Sequence, residues 1–256
     1  MRSVVVCLLA GSALFAARPD VNDILRRSVA NTQADWNAAP RYDFIERDVI
    51  AGNESTVKTY RVVMIDGSPY NEPLSANEAG NLQREIARRN RETPDERRRR
   101  VARYVRERRQ DNELLQEMIK AIDFKLVGEE IADGRRCFVL EGTPKTDYHP
   151  TNRDTKVLKG MRGKMWIDEQ TYQWVKVEAE VFRPVAFGLF IAHVEPGTKF
   201  TLKQKPVSEN VWLPSHFSMR IKANVLRIWS RNSSRDETYS EYSAARQTGS
   251  EARQSE

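Results

Sequence analysis

Strict two-residue alternation recurs along this chain and limits its fold more than any other feature. Val175, Val177, Ala179 and Val181 alternate with Lys176, Glu178 and Glu180. Phe200 and Leu202 alternate with Lys199, Thr201 and Lys203, and Phe217, Met219, Ile221 and Ala223 with Ser218, Arg220 and Lys222. Successive side chains of a strand point to opposite faces, so each stretch predicts a strand with one dry and one wet face. That is the habit of antiparallel sheets packed on one side only.

Further strands are predicted at 42–47, 57–65, 124–130, 135–141, 163–168 and 174–182. Turn residues separate them: Ala51-Gly52-Asn53-Glu54, Asp66-Gly67 with Pro69, Ala132-Asp133-Gly134, the segment 168–171, and Glu209-Asn210. A helix is predicted from Asp20, with Val21, Ile24, Leu25 and Val29 on one side. The sum is an α+β fold: a curved antiparallel sheet covering helices on its apolar side, with a long Arg-rich helical insertion. A single domain over 18–245 accommodates it, with the insertion at 72–122 and a polar, disordered tail at 246–256.

The insertion carries the charge. The chain has 42 Lys and Arg against 36 Asp and Glu, yet residues 84–109 alone hold 12 Arg against 5 acids. Ser75-Ala76-Asn77-Glu78 spells a capping box ahead of Ala79, Leu82 and Ile86, which predicts a helix over about 75–91. Thr93-Pro94-Asp95-Glu96 is a second start, with Pro at the first helical position, opening a helix over about 94–122. Leu114, Leu115, Met118, Ile119 and Ile122 form its apolar face. The run Arg97, Arg98, Arg99 and Arg100 reads as a solvated helix face or as a contact for anionic lipid headgroups or an acidic envelope partner. Nucleic acid is not expected, since the run lacks interleaved aromatics beyond Tyr104 and the chain carries an export signal.

That signal is residues 1–17: Arg2, then an apolar stretch from Val4 ending in small residues, with cleavage after Ala16 or Ala17. A buried N-terminal strand or helix is the other reading. No Cys follows the apolar run, so no lipid anchor is expected, and the predicted location is periplasmic or secreted. The mature chain keeps one Cys, Cys137, in the strand-like Arg136-Cys137-Phe138-Val139-Leu140; it reads as a small core hydrophobe.

The order and cadence of these strands resemble the periplasmic outer-membrane lipoprotein-sorting proteins, the LolA, LolB and RseB-like group. The likeness rests on Tyr60-Arg61-Val62-Val63-Met64-Ile65-Asp66-Gly67, on Leu126-Val127-Gly128-Glu129 with Arg136 to Pro144, and on Gly163-Lys164-Met165-Trp166-Ile167-Asp168 leading into Tyr172-Gln173-Trp174-Val175. Trp212-Leu213-Pro214 completes it, over roughly 40–66 and 123–245. The basic insertion is longer than that group's usual helices. The resemblance implies a half-open barrel capped by helices, with an apolar cavity that shelters acyl chains. The candidate contact residues are those of the alternating stretches: Val177, Ala179, Val181, Phe200, Leu202, Phe217, Met219 and Ile221. The same side chains would equally serve as ordinary core. The apolar segment 184–192, with Phe187, Leu189 and Phe190, reads as a buried strand or as a loop that dips into a bilayer or closes the cavity.

Catalytic signatures are lacking. There is no G-x-S-x-G elbow and no phosphate-binding glycine loop. Ser55-Thr56-Val57-Lys58 matches S-x-x-K only in spelling, and His193-Val194-Glu195 lacks the cysteine half of a deaminase site. His149, His193 and His216 are scattered, so no metal, cofactor or catalytic residue is expected. The chain reads as a non-enzymatic exported carrier or sensor for a lipid or lipoprotein acyl chain; the alternative is an envelope interaction or signalling protein with a filled core.

Overall fold

The computed structural model describes residues 19–52, 55–74, 81–152, 154–187, 192–225 and 229–245. The predicted signal at 1–17, the capping box at 75–78, Leu189, Phe190 and the tail at 246–256 lie outside them. Helix α1 (Val21–Ala38) starts where expected, with the Asp20 carboxylate accepting the Asn22 N–H at 3.1 Å. Strands β1 (Tyr42–Ala51), β2 (Ser55–Ile65) and β3 (Ser68–Pro73) follow as a meander. Then come α2 (Asn81–Arg89) and α3 (Pro94–Ala121). Strands β4 (Ile122–Ala132), β5 (Arg135–Pro144), β6 (Met161–Asp168) and β7 (Trp174–Val181) form a second meander. The short β8 (Val185–Phe187) and β9 (Ala192–Val194) precede the long β10 (Lys199–Ser208), β11 (Val211–Val225) and β12 (Trp229–Ala244).

The sheet runs β3-β2-β1-β12-β11-β10-β7-β6-β5-β4, with β9 added to β11 and β8 to β9. Every neighbouring pair is antiparallel. β3 and β4 do not meet, so the sheet is open. The architecture is α+β, as the alternation predicted. The hairpin turns follow their residues: Asp66 and Gly67, and Asp133 and Gly134, all have positive φ, the requirement of a tight two-residue turn.

Helix α3 is capped reciprocally: the Glu96 N–H donates to Thr93 Oγ1 at 3.3 Å, and the Thr93 N–H donates to Glu96 Oε2 at 2.8 Å. At about 1.5 Å per residue it is some 42 Å long. Its C-terminal end runs into edge strand β4, while its N-terminal half is hooked on the opposite edge. There Arg100 donates to Ser68 Oγ at 2.5 Å and Arg97 pairs with Asp66 at 3.4 Å. Val101 packs over Gly67, where an added Cβ would sit 3.3 Å from its methyl. The helix is therefore a strap between the two free edges.

Two apolar clusters lie on opposite faces of the second meander. On one face Ile24 of α1 meets Phe138, Leu140, Met165, Ile167 and Trp174, whose indole N–H donates to Ser28 Oγ. On the other, Cys137, Val139, Trp166, Val175 and Trp212 pack together. A third cluster joins Ala121 and Ile122 to Tyr148 and to Leu158 of the short 3-10 helix Asp154–Gly160. Val175 departs from the expected shared face with Val177. A bulge between Trp166 and Ile167 in the β6–β7 pairing turns Val175 to the second cluster, while Val177 stays with the first. The sheet thus has apolar packing on both faces at this end.

Candidate functional site

Seven of the eight candidate contact residues fall in one half-buried patch. Strand register places Val177 beside Leu202 and Leu202 beside Phe217, while Ala179 lies beside Phe200 and Phe200 beside Met219. Val177, Ala179, Phe200, Leu202, Phe217, Met219 and Ile221 are all partly buried; Val181 alone is fully enclosed. At the β4–β7 end the patch runs into the Ile24 cluster and is filled by it. Toward β10 and β11 no buried apolar cluster covers it among the described residues.

The seam between the two regions is a row of small residues. Gly142 pairs with Gly163, and Gly163 with Ala179. A Cβ on Gly163 would lie 2.2 Å from the Glu178 carbonyl oxygen, so no larger residue fits the close strand approach. Above this row Met118, Ile122, Phe124, Leu158 and Met161 wall an almost wholly apolar pocket of about 50 Å³. That is well under the ~150 Å³ in which one benzene ring is held. A long guest would have to lie along the open patch, with only its end in the pocket.

The far border of the patch is polar. Glu237 lies beside Phe217 and Asp48 beside Glu237, with Glu46 and Tyr239 one pair further on. Arg235 bridges the carboxylates, at 3.0–3.1 Å from Asp48 and 2.7 Å from Glu237. Burial first, then the charges of Glu237 and Asp48, push the Glu46 carboxyl above the usual range. Burial also raises Tyr239, whose hydroxyl donates to Glu237. Ligand oxygens of Glu46, Asp48 and Glu237 lie within 4.8 Å of one another, and the Arg235 guanidinium already pairs with two of them, Asp48 and Glu237. Sequence reading missed this border, because β12 has no aliphatic alternation to reveal it.

The four consecutive arginines do not form one surface. Arg100 turns inward, bound to Glu92 at 2.8 Å and to Ser68; Arg97 faces Asp66; Arg98 pairs with Asp95; Arg99 is exposed. Phe187 ends β8, which pairs antiparallel with β9 on the end of β11.

Cys137 is fully buried, and burial pushes its thiol up to about 11, as suits a core residue. Ser55 opens strand β2, the context in which S-x-x-K carries no chemistry. His216 Nε2 lies 2.8 Å from Asp236, a pair partly open to solvent between β11 and β12.

No family model matches the chain, and no curated protein matches it. Among solved structures it is similar to a DUF1329 family protein from Desulfovibrio piger, at 13% identity over 92% of this chain and 97% of that one, with a TM-score of 0.39. It is similar to a LolA superfamily protein from Nitrosomonas europaea, at 12% identity over 91% and 96%, with a TM-score of 0.35. A domain from Vibrio parahaemolyticus described as an outer membrane lipoprotein-sorting protein gives 13% over 88% and 94%, with a TM-score of 0.38. The group that the strand cadence resembles is thus among the matched structures. Likeness at these identities says nothing of a ligand. Among the described residues no helix is long and apolar enough to cross a membrane.

Proposed function

We propose that the chain is an exported carrier or sensor that takes an acyl chain of a lipid or lipoprotein on the dry face of its open sheet. One observation carries the reading: the apolar patch from Val177 to Ile221 stays half-buried, while the β5–β7 part of that face is packed under Ile24 of α1. Apolar surface held half in water favours a guest, because each methylene transferred from water contributes about 0.8 kcal/mol. The sequence resemblance implies the same role. The polar border at Glu237, Asp48 and Arg235 would stop the guest at one end, since burying alkyl chain against those charges would cost their hydration.

Native mass spectrometry of gently extracted protein, with titration of a pyrene-labelled phospholipid, tests it. Co-purified lipid and saturable binding are expected, with binding weakened by Ala179→Phe, which fills the small-residue row, and by Phe217→Ser. A clean apo mass together with no saturable titration would sink the reading.

A second reading has its own observation. The apolar pocket is only about 50 Å³ and the Ile24 cluster fills the β4–β7 end. A non-enzymatic envelope interaction or signalling protein with a filled core fits that geometry; lipid-free protein that captures an envelope protein would favour it.

A further inference from the structure

The α2–α3 hairpin encloses a groove of about 540 Å³ lined by Arg88, Arg91, Arg99, Arg100 and Arg103 with only Glu92 and Glu96. Both carboxylates are already engaged. Glu92 holds Arg100 at 2.8 Å and Arg88 at 3.2 Å, and these bonds, that to Arg100 foremost, draw its carboxyl below the ordinary value. Glu96 accepts the Thr93 N–H at 2.8 Å and the Thr93 hydroxyl at 2.9 Å, which lowers its carboxyl in turn. No acid that lines the groove is left over for the guanidinium groups of Arg91, Arg99 and Arg103, and none of the three has a partner among the described residues.

Arg99 and Arg103 stand one helical turn apart, where like charges weaken a helix. The groove walls are fixed in spite of that repulsion. Arg89 is buried against the carbonyls of Ile65, Ser68 and Pro69 at 2.7–3.0 Å, and Arg100 is tied to Ser68. Unpaired guanidinium groups carried on a clamped backbone frame concentrate positive charge along one groove, and their planar forks match phosphoryl oxygens in pairs.

We infer that this groove binds a phosphoryl group, with Arg91, Arg99 and Arg103 as its ligands. The site is separate from the sheet's dry face, and its failure would leave the acyl-chain reading untouched. The phosphoryl group has two possible sources, a soluble phosphate or a phospholipid headgroup.

The test is calorimetric titration with inorganic pyrophosphate, alongside co-sedimentation with phosphatidylglycerol vesicles, phosphatidylcholine vesicles being the blank. Both are run on the full chain at matched ionic strength. The variant Arg91→Gln/Arg99→Gln/Arg103→Gln is compared with Arg84→Gln/Arg98→Gln/Arg106→Gln, which removes equal charge from the same hairpin outside the groove. Circular dichroism verifies that both fold. The groove variant is expected to bind at least about tenfold more weakly, and the control within about threefold, since charge-assisted bonds are lost only in the first. Lysine at the three groove positions should restore part of the loss. Pyrophosphate binding alone supports a soluble phosphate; vesicle binding alone supports a headgroup. Equal losses in the two variants, or no binding of either probe by the wild type, overturn the site.

Discussion

Asp35 of α1 accepts the backbone N–H of Trp212, the second residue of β11, at 2.9 Å, and its other carboxylate oxygen has no hydrogen-bond partner among the described residues. One side chain thus pins the first helix to a strand that follows it by most of the chain. The cost is a buried acid, 3% exposed, whose pKa burial raises from 3.8 to about 6.

A raised carboxyl pKa means that the folded state holds the proton more tightly than the unfolded chain. Its contribution to stability is complete below about pH 3.8 and is lost as pH rises through about 6. Asp35→Asn keeps an acceptor for the Trp212 N–H and removes the charge. Urea unfolding should find the variant gaining on the wild type by up to about 3 kcal/mol as pH rises from 4 to 8. A stability difference that stays flat over that range would contradict the assignment.

Arg89 is a structural clamp in a run that reads as solvent-facing. It donates to the carbonyls of Ile65, Ser68 and Pro69 and to Glu85, and the bonds from Arg88 foremost and then Arg89 draw the Glu85 carboxyl down to about 2. Arg89→Met should cost about 3–5 kcal/mol, because Glu85 and the three carbonyls lose their buried partner. Arg89→Lys should fall between, with charge but no fork. A denaturation midpoint unchanged by Arg89→Met would refute the clamp.

Gly163 marks where two strand backbones come closest. A methyl there would meet the Glu178 carbonyl at 2.2 Å and the Ala179 Cα at 3.0 Å, neither of which is a flexible group. Gly163→Ala should destabilise by about 1–3 kcal/mol, as overpacking does. Gly128→Ala, in the β4 bulge with open space around it, serves as the control and should stay within about 0.5 kcal/mol.

Cys137 should be inert. With its side chain enclosed and its thiol pushed up to about 11, iodoacetamide at pH 8 should label it only when the protein is unfolded. Fast labelling of native protein would show that the cluster around Val139 and Trp166 opens readily.

What the amino-acid sequence determined by itself is local. Alternation at 175–181, 199–203 and 217–223 specified strands, Asp-Gly pairs specified their turns, and Asp20 and the Thr93–Glu96 box specified helix starts. Each depends on neighbours a few residues away. Strands β3 and β12 escaped notice for an equally plain reason. β3 carries Pro69 and Pro73, tolerated because it is an edge strand, and β12 runs through the sheet's centre with polar residues on both faces.

Tertiary structure decided which charges are spent and which face each apolar side chain joins. Arg89, Arg99 and Arg100 belong to one basic run, yet the first and last are consumed by carbonyls and carboxylates from the β2–β3 turn and the α2–α3 junction, while Arg99 is left facing a groove. Val175 and Val177 share a period, yet a bulge opposite Trp166 sends them to different sides of the sheet. Burial and charge pairing are set by partners distant in the chain, and a pattern that repeats every two or four residues carries no record of them.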